Sequence, residues 1–153
     1  MREILFKAKR IDNGEWVEGY YYKISETTYC FKEDYERKPV PEHHYILQER
    51  MTDWGLPNQM VQIEIDPKTL CQFTGMTDKN GKRIWENDIV EAWSQGSRAI
   101  GTVKQRVDGL WIMSPAWQNH EFWELKPNSN GETTVEVLVN AFDNPELLQE
   151  EHK

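Results

Sequence analysis

Along this chain apolar residues recur at every second position more often than at the three-to-four spacing of a helix, the pattern of strands with one buried face. Ile4, Phe6 and Ala8 alternate with charged or exposed neighbours as far as Asp12-Asn13-Gly14. There an Asn-Gly pair supplies the positive φ angles of a tight hairpin. The return strand sets Trp16, Tyr20, Tyr22 and Ile24 on one parity, and Tyr29 and Phe31 continue the pattern. From Lys32 to Glu42 the chain is charged and holds Pro39 and Pro41, which predicts an exposed loop. A second irregular stretch, "ERMTDWGLPNQ", runs from Glu49 to Gln59 before Val61, Ile63 and Ile65 restore the alternation. Asp66-Pro67 reads as a cap with proline opening a short helical turn.

Further strands are expected over 88–93, 98–107, 110–113, 121–125 and 133–139, separated by "SQGS", "DG" and "KPNSNGE". Only the tail reads as helix: Asn144 caps, Pro145 takes the first helical position and Glu146 suits the positive end of the dipole. Phe142, Leu147 and Leu148 would pin it to the rest of the protein as a latch. The fold class is therefore all-β, a barrel or sandwich of short strands with a short C-terminal helix. A single domain over 1–153 is expected. A subdivision near 66 would separate N-terminal strands (1–66) from a barrel core and closing helix (67–153).

The most motif-like stretch is "QFTGMTDKNGKRIWENDIV", Gln72 to Val90. Asn80-Gly81 marks a hairpin whose two positive φ angles both residues would supply. Gly75 suggests a bulge, Ile84 and Trp85 plug a core, and Asn87 is among the few non-glycine residues that tolerate the left-handed region. As chemistry the stretch fails. Gly75 and Gly81 are wrongly spaced for a phosphate loop, and Arg83 stands where its hydroxyl belongs. Asp78, Asn80 and Asp88 lack the oxygen spacing and closing glutamate of a calcium loop.

Composition narrows the function classes. Hydrophobic residues make up 38% and charged residues 29%, with seven Trp, six Tyr and five Phe, too aromatic for a disordered chain. No apolar run reaches the roughly 18 residues of a membrane span, and the charges in "MREILFKAKR" are wrong for a signal peptide. A cytoplasmic protein is expected. The net charge of −8 disfavours nucleic-acid binding by bulk charge. It is uneven: residues 1–66 carry 9 basic and 13 acidic side chains, 67–106 carry 7 and 4, and 107–153 carry 2 and 9. In the basic middle, Trp85 or Trp93 beside Lys79, Lys82, Arg83, Arg98, Lys104 and Arg106 form the candidate binding site for an anionic partner, with the tryptophans as a stacking platform. Cys30 and Cys71, without a CxxC, are expected to be two buried, reduced thiols. His43 and His44 leave a strand on opposite faces, His120 and Glu121 share that defect, and His152 sits near the end of the chain. No metal, cofactor or catalytic residue is expected.

The Gln72–Val90 stretch resembles the signature of the YopX-like proteins of bacteriophages and prophages. In these a Gln-aromatic-Thr-Gly segment leads through Asp-Lys-Asn-Gly-Lys to aromatic-Glu-x-Asp-Ile-Val. "MREILFKA" and "WVEGYY" are similar to the family's first two strands, and "VEVLVNAFDNPELL" to its end. Two departures are Asn87 and Val139, each where the family favours glycine. The resemblance implies an all-β, barrel-containing fold encoded by a phage or prophage, assembly into a homo-oligomer, and no catalytic residues. The resulting expectation is a non-enzymatic module that binds a phage or host protein. Its rivals are a nucleic-acid binder using 67–106 and an enzyme whose site only the fold assembles.

Overall fold

The computed structural model describes residues 3–94, 96–115 and 123–145. The chain divides into two compact units, Leu5–Leu70, and Cys71–Lys153 together with Met1–Ile4.

In the first unit four strands run antiparallel in the order β4-β3-β2-β1: β1 Phe6–Lys9, β2 Trp16–Ser25, β3 Glu42–Arg50 and β4 Gln59–Glu64. Its core is Ala8, Val17, Ile46, Ile63 and Ile65, with Phe6, Tyr21, Val61 and Leu70 packed around it. The face that holds Trp16, Tyr20, Tyr22 and Ile24 is not the buried one. Tyr20 and Ile24 are exposed, while Val17 and Gly19 of the opposite parity are buried. Aromatic size misleads here, because the solvent face pairs its rings with one another and with cations. Tyr22 stacks on Tyr45 at 5.2 Å, and Lys7 and Lys9 lie 4.9 and 5.4 Å from the Trp16 ring.

Residues Lys32–Arg37 form a helix, α1, where a loop was expected. No residue of it is buried, so there was no apolar period to find. Glu33 and Asp34 in its first turn and Arg37 in its last match the helix dipole. The turn after β4 is as expected: Asp66 caps a 3-10 turn, Pro67–Thr69, by accepting from the Lys68 N–H at 3.0 Å.

The second unit holds a hairpin, β5 Cys71–Thr77 and β6 Arg83–Trp85. It also holds five strands in the order β10-β9-β8-β7-β11: β7 Asp88–Ser94, β8 Ser97–Gln105, β9 Trp111–Pro115, β10 Trp123–Glu124 and β11 Glu136–Asn140. This sheet is open, with β10 and β11 as its edges, so the expected closed barrel is not formed among the described residues. Met76 and Ile84 of the hairpin join Val90, Ala92, Ala99, Val103, Trp111, Met113, Leu125, Val135 and Val137 in one core. The expected closing helix falls mostly on residues 146–150, outside the described residues. Of its three apolar anchors Leu147 and Leu148 lie there too, and Phe142 is exposed, so the latch loses the one anchor that can be placed.

Three turns of this unit share one construction. In residues 78–82, 106–110 and 128–132 the fourth residue is a glycine whose N–H donates to the first residue's carbonyl, and the first and fifth residues pair. This is a type I turn followed by a left-handed glycine. Gly81 alone takes positive φ, at 80°, and Asn80 does not, which corrects the expectation for that pair. The expectations for Gly75 and Asn87 hold. The β5–β6 register shifts around Gly75, and Asn87 sits at φ 69°.

Cys71 is buried but Cys30 is exposed, so the expectation of two hidden thiols fails for one. A thiol-reactive chromogen should therefore label one cysteine per native chain and two after denaturation. A native count of two would contradict this placement of Cys71.

Candidate functional site

Asp78, at the head of the first turn, is 2% exposed and accepts three backbone N–H groups. Oδ1 takes those of Asn80 at 2.9 Å and Lys82 at 2.8 Å, and Oδ2 takes that of Val137 at 3.0 Å. Burial pushes its carboxyl up, but the N–H groups of Val137, Lys82 and Asn80 outweigh burial and hold it below its ordinary value. Asn128 makes the same turn bonds with a neutral amide, from Asn130 and Glu132. The two turns adjoin: Thr77 and Glu132 form a bridge, and the Thr133 N–H and hydroxyl both donate to the Thr77 carbonyl. Asp88, 3% exposed, accepts from the Trp85 N–H at 2.8 Å and from Asn140 Nδ2 at 3.3 Å. Asp78 and Asp88 are both spent on architecture, and Glu86 Oε1 accepts from the Gln72 N–H at 3.3 Å.

Four cations of the basic segment pair with carboxylates. Lys79 pairs with Glu136 at 3.3 Å, Arg83 with Glu3 at 3.5 Å and Arg98 with Glu91 at 2.9 Å. Arg106 pairs with Asp108. Lys104 donates to Asn87 Oδ1 at 3.0 Å, a bond that glycine at position 87 could not accept. Lys82 is exposed on its turn. Trp85 is 5% exposed and packs on Phe73 at 5.3 Å, so it is core and no platform. Trp93 is exposed, with Nε1 donating to Glu91 at 3.0 Å. Hydrogen bonds from Arg98, and then from Trp93, hold Glu91 below its ordinary value despite some burial. Trp93 and Trp123 also border a groove of ≈350 Å³ with Leu125 and Val135.

His43 lies 3.3 Å from Glu26 and 3.5 Å from Glu64, while His44 Nδ1 faces the Tyr21 hydroxyl at 2.7 Å, so the two rings have separate partners as expected. Among the described residues no group of three or more His, Cys, Asp or Glu is placed to hold a metal. No helix among them is long and apolar enough to cross a membrane.

The feature that sequence reading passed over is the β3–β4 loop, residues 51–58. It is held by its own bonds: Leu56 N–H to the Asp53 carbonyl at 3.1 Å, the Thr52 hydroxyl to the Pro57 carbonyl at 3.0 Å, and Asn58 Nδ2 to Glu49 Oε1 at 2.7 Å. On that frame Trp54 is 95% exposed, Met51 79% and Leu56 59%. A signal was present. A tryptophan set between turn residues, with no alternating neighbours, has no face on which to be buried.

The fold and these sites define a small antiparallel β protein of two units. The chain matches the YopX protein family over residues 5–149, and it belongs to that family. It is similar to the crystal structure of protein EF1440 from Enterococcus faecalis, at 16% identity and TM-score 0.44, over 97% of this chain and 99% of that one. No curated protein matches it.

Proposed function

We propose that this chain is a non-enzymatic protein-binding module, with the β3–β4 loop as its recognition element. The observation that carries the reading is Trp54, held out at 95% exposure by a loop whose backbone is fixed by hydrogen bonds. Tryptophan leads the residues that dominate binding energy, and a preordered loop pays little entropy on docking. Single exposed apolar groups are ordinary, but Met51, Trp54 and Leu56 on one loop form a set. The resemblance to phage and prophage proteins supports, as the partner, a phage or host protein of the bacterial cytoplasm or a second copy of the chain. Pairing of Lys79, Arg83, Arg98 and Arg106 with carboxylates speaks against a nucleic-acid site on 67–106. An acid–base enzyme is disfavoured because, among the described residues, the shifted carboxylates Asp12, Asp78, Glu91 and Asp108 are all held down, as anions engaged by structural donors.

The test is capture from phage-infected host cells by the immobilised chain and by Trp54→Ser, with light scattering across a dilution series to reveal self-association. Loss of one hot-spot tryptophan should weaken binding by about tenfold or more at unchanged melting temperature. Equal capture by both proteins, or equal self-association, would overturn the assignment to the loop.

A further inference from the structure

In the Leu5–Leu70 unit a ladder is begun along the outer edge of β4 and left unfinished. β4 is the edge strand, paired on one side with β3. The Ile65 N–H donates to the His44 carbonyl of β3, whereas the Glu64 carbonyl faces outward and accepts the Ile11 N–H at 3.2 Å. Main-chain groups alternate in direction along a strand, so those of Gln62 and Met60 face outward as well. Arg10 bridges Ile65 in the antiparallel sense, and the Asp66 N–H donates to the Lys9 carbonyl at 2.9 Å. Past Ile11 the chain turns back toward β2. A gap of ≈370 Å³ opens there between Arg10–Asp12 and Val61–Glu64.

The gap has the chemistry of a strand site. Edges are normally guarded by lysine, proline or a bulge, and Gln59–Glu64 has none of the three. Ile11, 59% exposed, and half-buried Val61 supply apolar walls. Arg50 also lines the gap. It lies opposite Gln59, on the same face of β3 as buried Ile46. Arg10 is held by Asp12 through bonds of 2.9 and 2.7 Å, but Arg50 has no ion-pair partner among the described residues. One end of the gap therefore presents an uncommitted cation.

We propose that this gap takes an extended segment of a partner protein, which continues the ladder antiparallel to β4. Segment residues opposite Gln62 and Met60 exchange main-chain hydrogen bonds with them. The segment residue between those two, opposite Val61, is apolar and packs against Val61 and Ile11. Two positions further along, opposite Gln59, an acidic side chain meets Arg50. The site rests on the protein-binding reading for its class of partner. It uses none of Met51, Trp54 and Leu56, so the two can fail separately.

Three end-blocked pentapeptides provide the test: Val-Thr-Val-Thr-Glu, its glutamine-ended counterpart, and the first peptide methylated on both threonine nitrogens. Each is titrated into the ¹⁵N-labelled full chain and into Arg50→Gln. The first peptide should move the amide signals of Met60 and Gln62 saturably. Methylation removes the N–H groups that face β4 and should weaken binding about tenfold or more. The glutamine-ended peptide should bind about three- to fivefold more weakly, as for an exposed ion pair, and Arg50→Gln should abolish that difference. Signals that the first peptide leaves in place, or equal binding of the methylated one, would overturn the strand site. A preference for glutamate that survives Arg50→Gln would overturn the role of Arg50. Met60 and Gln62 signals that shift with chain concentration and ignore the peptide would assign the edge to a second copy, against the proposal. Trp54→Ser should bind the first peptide as the wild type does, which separates this site from the loop.

Discussion

Asp78→Ala is expected to lower the free energy of unfolding by about 3–5 kcal/mol, because it removes the acceptor of one buried and two part-buried N–H groups at once. The donors of Asn80 and Lys82 close the turn, and that of Val137 ties the turn to β11. Asp78→Asn should cost less, about 1.5–3 kcal/mol. Asn128 already makes the two turn bonds with an amide oxygen, so only the Val137 bond is replaced by two opposed donors. Urea titrations of the three proteins give the order wild type, Asn, Ala. Acid should act in the same direction. A carboxyl held below its ordinary value contributes stability that is fully present above that value. The contribution is lost as pH falls through the lower, folded-state value, so stability should decline below about pH 4 and Asp78→Asn should flatten that decline. An Asp78→Ala protein with a wild-type urea midpoint would show that the three bonds hold nothing together.

Gly19→Ala should be comparably severe, about 3 kcal/mol or more, for a reason with no charge in it. A Cβ at position 19 would lie 2.1 Å from the Leu47 carbonyl oxygen and 2.9 Å from Ile46 Cγ2. The first of these is backbone, so β2 and β3 must separate beside Ile46, which is fully buried. Gly14→Ala makes the control. Its Cβ meets nothing within 4 Å, and only the φ of 73° opposes it, a strain of about 1–2 kcal/mol. Urea midpoints for the two variants separate steric from conformational cost. A Gly19→Ala protein no less stable than Gly14→Ala would mean that β2 does not approach β3 so closely.

The β class and most strand positions were legible because alternation and turn residues are local signals. So were Gly75, Asn87 and the Asp66 cap. What the chain does with its aromatic residues was not. Trp85 and Trp93 look alike in sequence, yet one is core and the other exposed, since burial depends on which strand face meets a second layer. On β2 the small pair Val17 and Gly19 mark the buried face, while the larger rings pair with one another and with cations on the other side. The helix α1 had no apolar period to reveal it. The ion pairs of Lys79, Arg83 and Arg98 were invisible because Glu136, Glu3 and Glu91 come to them from other strands or from the N-terminal end. Trp54 could have been found, as the large side chain in a turn-rich stretch where nothing alternates with it.

Whether Gln72–Val90 is architecture or chemistry turns on the ionisation of one buried carboxyl, and following the Asp78 carboxyl carbon by NMR as pH is lowered tests it most directly. If the carboxylate is a staple for the N–H groups of Asn80, Lys82 and Val137, its midpoint falls below the ordinary aspartate value of 3.8. A midpoint at or above that value would mean that burial outweighs those bonds. It would describe a carboxyl poised to exchange a proton, and would contradict the structural reading of the motif.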